Sequence, residues 1–177
     1  MKTLIYEQHN TPHHSELQSG HAQRLAGYAR RTALAINTVD SGPLEPLRFS
    51  EQNIVELTYA ALLHDVVNLA TEQERAATLR LLSKLPWPDQ YRSIPAILAL
   101  LYKKLYSPRG VYEPDSDPVT MMGHILAIAH IFDHITTSDD YARNAADFDT
   151  TALVLHLETG KKALDQDIVD LFLSIHA

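Results

Sequence analysis

His64 and Asp65 stand side by side at the close of an apolar run, Ala60-Ala61-Leu62-Leu63. A histidine and a carboxylate at the inner end of a buried helix are expensive to desolvate, and a metal ion or a closed hydrogen-bond network offsets that cost. Consecutive helical residues point roughly 100° apart, so this pair can serve one ion only at a helix end or a distortion. Two further imidazoles are available on helical faces, His21 early in the chain and His130 late. Three imidazoles and one carboxylate suffice for one divalent ion with coordination positions left open. Such ligation suits zinc, iron, nickel or manganese better than magnesium. Asp133, three residues beyond His130, is spaced to orient that imidazole from outside the ligand set. The alternative for the same residues is structural, with His64-Asp65 in a buried hydrogen bond and His130 as a core histidine. His134 shares a helical face with His130, and His124 flanks it. Both are read as surface or packing residues, with a second ligand at 134 as the sharper alternative.

These residues need helices to carry them. Ser15-Glu16-Leu17-Gln18 has capping-box spacing and opens a segment predicted to run to about Asn37. Its apolar positions Leu25, Tyr28, Ala29, Thr32 and Ile36 recur at three- and four-residue steps, and His21 falls on the face of Leu25 and Tyr28. Ser41-Gly42-Pro43 makes a loop, after which Ser50 is an N-cap for the helix leading into His64-Asp65. Thr71-Glu72-Gln73-Glu74 is another capping box, starting a helix to roughly Leu85 that Pro86-Trp87-Pro88 breaks. An apolar helix follows from Ile94 to about Tyr106, with Pro95 tolerated in its first turn. The stretch from Ser107 to Pro118 is an irregular loop. Asp117-Pro118 then opens a long helix to about Thr137, and Asp149 and Asp165 begin two shorter ones, the first stopped by Gly160. No strand alternation is evident, so the prediction is an all-α fold of roughly seven helices.

A chain of 177 residues is long enough for one domain with a proper core. We read residues 1–14 as a polar N-terminal segment, holding His9, His13 and His14, and 15–177 as the helical domain. The absence of cysteine removes disulfides and thiolate ligands and fits a reducing compartment. No segment has the apolar length of a signal peptide core or a membrane span, and a cytoplasmic location is expected. A formal charge of −7 argues against general nucleic-acid binding, which wants a basic face.

The chain resembles the HD superfamily of metal-dependent phosphohydrolases, specifically the HD-GYP branch that hydrolyses cyclic di-GMP. His21-Ala22-Gln23-Arg24-Leu25-Ala26 is similar to that family's first metal-histidine helix, and Ala61-Leu62-Leu63-His64-Asp65-Val66-Val67-Asn68 to its HD motif. Ile125 to Asp133 resembles the late helix that closes the site, and Gly160 with Asp165-Gln166-Asp167-Ile168-Val169 the final segment. The departures are specific. The family's catalytic lysine falls on Asn68 and its closing aspartate on His130. Its paired histidines, glutamate and GYP loop fall on Tyr102 to Tyr112, where Gly110 alone is kept. No histidine lies between His64 and His124.

The resemblance therefore implies a divergent member holding one divalent metal (iron, manganese, zinc or nickel) through His21, His64, Asp65 and His130. Asp65 would be the catalytic residue, orienting an attacking water, and Asp133 the partner outside the ligand set. The implied activity is phosphohydrolysis of a nucleotide or another phosphate ester, and not of cyclic di-GMP. The alternative is an inactive module that binds a nucleotide or a protein partner in signalling. Lys103, Lys104 and Arg109 occupy the positions of family ligands and substrate loop. They are either phosphate contacts or a solvated basic turn favoured by the helix dipole. Trp87, Tyr102, Tyr106 and Tyr112 are read as packing residues, with base stacking the sharper alternative.

Overall fold

The segment Pro118–Thr137 carries one carboxylate and no lysine or arginine over 20 residues. A helix that is apolar around its circumference has to be surrounded by the rest of the protein. In the computed structural model, which describes residues 15–67, 71–106, 117–137, 148–160 and 164–176, it is the hub of an all-α fold. The helices are α1 (Ser15–Ile36), α2 (Glu51–Leu63), α3 (Glu72–Leu82), α4 (Ile94–Tyr106), α5 (Pro118–Thr137), α6 (Phe148–Gly160) and α7 (Gln166–His176). Among the described residues there is no strand. α5 packs against α1, α2, α4, α6 and α7, and every residue from Met121 to Ala129 is buried. α3 lies outside this group and packs on α4.

The helix starts follow from local hydrogen bonding. Ser50 caps α2 by accepting from the Asn53 amide at 3.1 Å, while the Asn53 side chain accepts from the Ser50 amide at 3.0 Å. Thr71 and Glu74 make the same reciprocal box at α3. Asp117 accepts from the Thr120 amide at 2.9 Å and Asp165 from the Ile168 amide at 2.9 Å, opening α5 and α7. α3 stops at Leu82 rather than at Leu85, because Ser83 and Lys84 close onto the Leu79 and Leu81 carbonyls ahead of the proline pair. The capping spacing at Ser15 lies where side chains are not described.

Two features bring the helices close. Asn37, just past α1, donates to the Phe49 carbonyl and accepts from the Phe49 amide, each at 2.7 Å. That ties the end of α1 to the start of α2 across the intervening loop, whose turn Gly42 makes with φ 87°. In α5, a Cβ placed on Gly123 would lie 2.5 Å from Leu100 Cβ of α4, so only glycine permits that approach. The last helix is held by rings: Phe172 lies 5.2 Å from Phe132, which lies 5.3 Å from Tyr28, edge to face.

Candidate metal centre

Three of the helices meet on faces rich in short side chains. Ala26, Ala29 and Ala33 of α1, Ala60 and Ala61 of α2, and Ala127 and Ala129 of α5 are all buried. Such faces let helix axes approach closely. Into this junction each segment delivers one imidazole: His21 from α1, His64 from the end of α2 and His130 from α5. Their candidate ligand atoms lie within 4.8 Å of one another.

His64 is fully buried and sits where the helix changes type. α2 ends at Leu63 and the chain tightens into a 3₁₀ turn, His64–Val67. This is the distortion that two adjacent residues need to serve one point, and His64 Nε2 lies 3.1 Å from Asp65 Oδ1. The turn is braced by Tyr102 of α4, whose hydroxyl donates to the His64 carbonyl at 2.6 Å. His64 Nδ1 faces the Ala61 carbonyl at 2.7 Å, and its Nε2 faces His21 Nε2 at 3.0 Å.

His21 is set from the opposite side. Its Nδ1 lies 2.5 Å from Asp133 Oδ2. Arg24, one turn along α1, donates to both oxygens of that carboxylate, from Nε at 2.7 Å and Nη2 at 3.0 Å. Burial raises the pKa of Asp133, but the hydrogen bonds from His21 and Arg24 outweigh it and hold the group below the usual carboxylate range. His130 stacks edge-on to both other rings at 5.3 Å. Its Nδ1 is sealed from solvent with no hydrogen-bond partner. Burial first, then the neighbouring His64 and His21, push its pKa well below the ordinary value, so His130 is a neutral imidazole with a lone pair to give.

Proton accounting makes the cluster specific. The Ala61 carbonyl and the ionised Asp133 can only accept, so both Nδ1 atoms carry hydrogens and donate. In neutral His21 and His64 the lone pairs are then on Nε2, and these two atoms confront each other at 3.0 Å. Two lone pairs at that distance repel unless a cation, a proton or a metal ion, lies between them. Metal–nitrogen bonds of about 2.0–2.1 Å set neighbouring donors roughly 3.0–3.4 Å apart. The 3.0 Å between the Nε2 atoms of His21 and His64 and the 3.1 Å from His64 to Asp65 match that requirement, and His130 lies within 4.8 Å of both histidines. The three-histidine group can in principle hold a metal ion.

Asp65 adjoins the trio through His64, with 46% of its side chain exposed. Its burial raises its pKa, but the contact with His64 first, and then the positive charge of a proton held among His64, His21 and His130, bring the net shift below the ordinary value. Asp133 differs from the sequence expectation in its partner: it holds His21, across the helix interface, and not His130 on its own helix. The hydrogen bonds reach α1 because Asp133 points out of α5 toward the α1 face that carries both His21 and Arg24.

Of the proposed phosphate contacts, Lys103 is exposed and Lys104 half-buried in the last turn of α4. Burial, then Lys103, lowers the pKa of Lys104, while Asp165 raises it. Arg109, Asn68, Tyr112 and the GYP-like stretch lie outside the described residues, as does the N-terminal segment. His134 is exposed, whereas His124 is buried and its pKa is lowered to about 4, chiefly by burial and then by Lys104. Sequence reasoning missed the clamp made by Arg24 and the brace made by Tyr102. The three-residue spacing of Arg24 from His21 was the one available signal.

No protein-family model, curated protein or solved structure matches the chain. Among the described residues, no helix is long and apolar enough to cross a membrane.

Proposed function

We propose that this chain is a divergent HD-type phosphohydrolase. It would hold one divalent ion (iron, manganese, zinc or nickel) through His21, His64 and His130, with Asp65 beside them, and act on a nucleotide or other phosphate ester. One observation carries the reading: two imidazoles whose outer nitrogens face acceptors bring their Nε2 atoms to 3.0 Å of each other. When bound, the ion supplies a Lewis-acid centre for a phosphoryl oxygen.

The other roles belong to the chain's own residues. Asp133 and the Ala61 carbonyl fix the tautomers of His21 and His64, and Arg24 keeps Asp133 ionised and in place. Asp65, ionised and half exposed, accepts a hydrogen bond from a water and orients it; a carboxylate held this low is a better orienter than proton store. Lys103 and Lys104, in the last turn of α4, are the described candidates that the family resemblance offers for neutralising a phosphate.

The test is elemental analysis of untagged protein purified without added metal, with His64→Ala in parallel. Near-stoichiometric metal in the wild type and its loss in the variant are expected, followed by turnover in a phosphate-ester screen. Absence of metal after reconstitution overturns the proposal and leaves a shared proton in the cluster, with a nucleotide- or protein-binding module as the remaining reading.

A further inference from the structure

The corner between α3 and α4 carries a feature that the histidine cluster does not use. None of the eleven residues of α3 is fully buried. Leu81 and Leu85, at and just beyond its end, are 65% and 53% exposed. Between this end of α3, the Pro86-Trp87-Pro88 link and the first turns of α4 runs an open groove of about 560 Å³. Leu79, Leu85, Trp87 and Pro95 make its walls apolar. The Trp87 Nε1–H donates to the Leu82 carbonyl at 2.6 Å, which satisfies the indole's polar edge and leaves apolar ring surface for a ligand.

The charged side chains among the lining residues are both arginines, Arg80 and Arg92. Arg92 pairs with Asp89 three residues earlier, but their side chains are 74% and 89% exposed. A pair so solvated contributes little and yields readily to another carboxylate. In a chain whose formal charge is −7, an apolar groove with two guanidinium groups is opposite in sign to the protein as a whole.

We propose that this groove docks an acidic amphipathic segment of another protein. Its apolar side chains would lie against Trp87 and Leu85, and its carboxylates on Arg80 and Arg92. The wide, open shape of the site fits the same occupant.

Trp87 is the only tryptophan of the chain, so its emission reads the groove directly. The probe is a synthetic helical peptide with leucine at three- and four-residue spacing and glutamate elsewhere, set against the same peptide with lysine for glutamate. The acidic peptide is expected to shift Trp87 emission to the blue and saturate, and the lysine peptide to bind at least about tenfold more weakly. Affinity for the acidic peptide should fall about tenfold or more in Arg80→Glu/Arg92→Glu. Both positions are exposed, and circular dichroism checks that the variant is folded. Leu85→Ser tests the apolar half independently and should weaken both peptides.

Equal binding of the two peptides, or unchanged affinity in the folded arginine variant, overturns the proposal. Anilinonaphthalene sulfonate altering Trp87 emission where the acidic peptide does not would assign the groove to small aromatic anions and overturn it. A shift of Trp87 emission with protein concentration alone would assign the groove to a second copy and overturn it as well.

Discussion

The junction of α1, α2 and α5 and the corner of α3 and α4 are built from comparable helices, yet burial acts on them in opposite ways. At the junction, alanine-rich faces bring three backbones together and trap His21, His64, His130 and Asp133 where each ring nitrogen or oxygen needs a partner. At the corner, α3 buries no residue completely, and its Arg80 and Leu81 stay in water. Polar groups at the junction are therefore high-stakes, since each is expensive to desolvate and has one geometry that satisfies it. At the corner the same residue types are nearly free to change in the isolated protein. Their value can show only when something covers them.

Asp133→Ala should have the largest effect. It strips the acceptor from His21 and from the Arg24 guanidinium, and breaking a buried charged pair costs about 3–5 kcal/mol. Chemical denaturation reads the loss. If the cluster holds a metal, affinity should fall as well, by about 10–100-fold. A variant of unchanged stability would show that the clamp is not what orders the junction.

Acid comes next. The folded-state pKa of His124 lies at about 4 because of burial and Lys104, below the unfolded value of about 6.5. Between these limits the unfolded chain binds a proton that the folded chain refuses. Stability is therefore fully present above about pH 6.5 and falls as pH drops toward 4, by about 3 kcal/mol from this one group. Thermal melts from pH 7.5 to 4 measure the slope, which His124→Gln should flatten. His176, also lowered to about 4, by burial and then Arg31, adds in the same direction.

Gly123→Ala gains helix propensity but drives a methyl group to 2.5 Å from Leu100 Cβ, and a net loss of about 1–3 kcal/mol is expected. Leu100→Gly in the same background should recover part of it in a double-mutant cycle. At the open corner, Arg80→Ala or Leu81→Ala should change stability by no more than about 0.5 kcal/mol. A large destabilisation there would erase the contrast between the two regions.

Much of the helical plan could be read before the structure, for local reasons. Ser50 with Asn53, Thr71 with Glu74, Asp117 and Asp165 cap their helices through side chains that reach amides three residues away. That interaction depends on nothing beyond its own turn. The requirement that His64 and Asp65 sit at a helix distortion was likewise a matter of angle per residue, and the 3₁₀ turn at His64 meets it. The histidines at 21, 64 and 130 could be nominated from residue type and helical face. The partner of Asp133 could not. Spacing along α5 pointed to His130, whereas the carboxylate bridges to His21 and Arg24 on α1.

The same division holds for the molecule as a whole. The sequence by itself determined where most helices begin, that the fold is all-α, and which residue types could serve a cation, because these follow from bonds spanning a turn or less. Only the tertiary structure decided that two imidazoles confront each other at 3.0 Å, that Tyr102 braces the His64 turn, and that Trp87 lines an open groove together with two arginines. Those facts depend on the separation and rotation of helices far apart in the chain. Both are set by the packing of every side chain between them, and no local pattern encodes them.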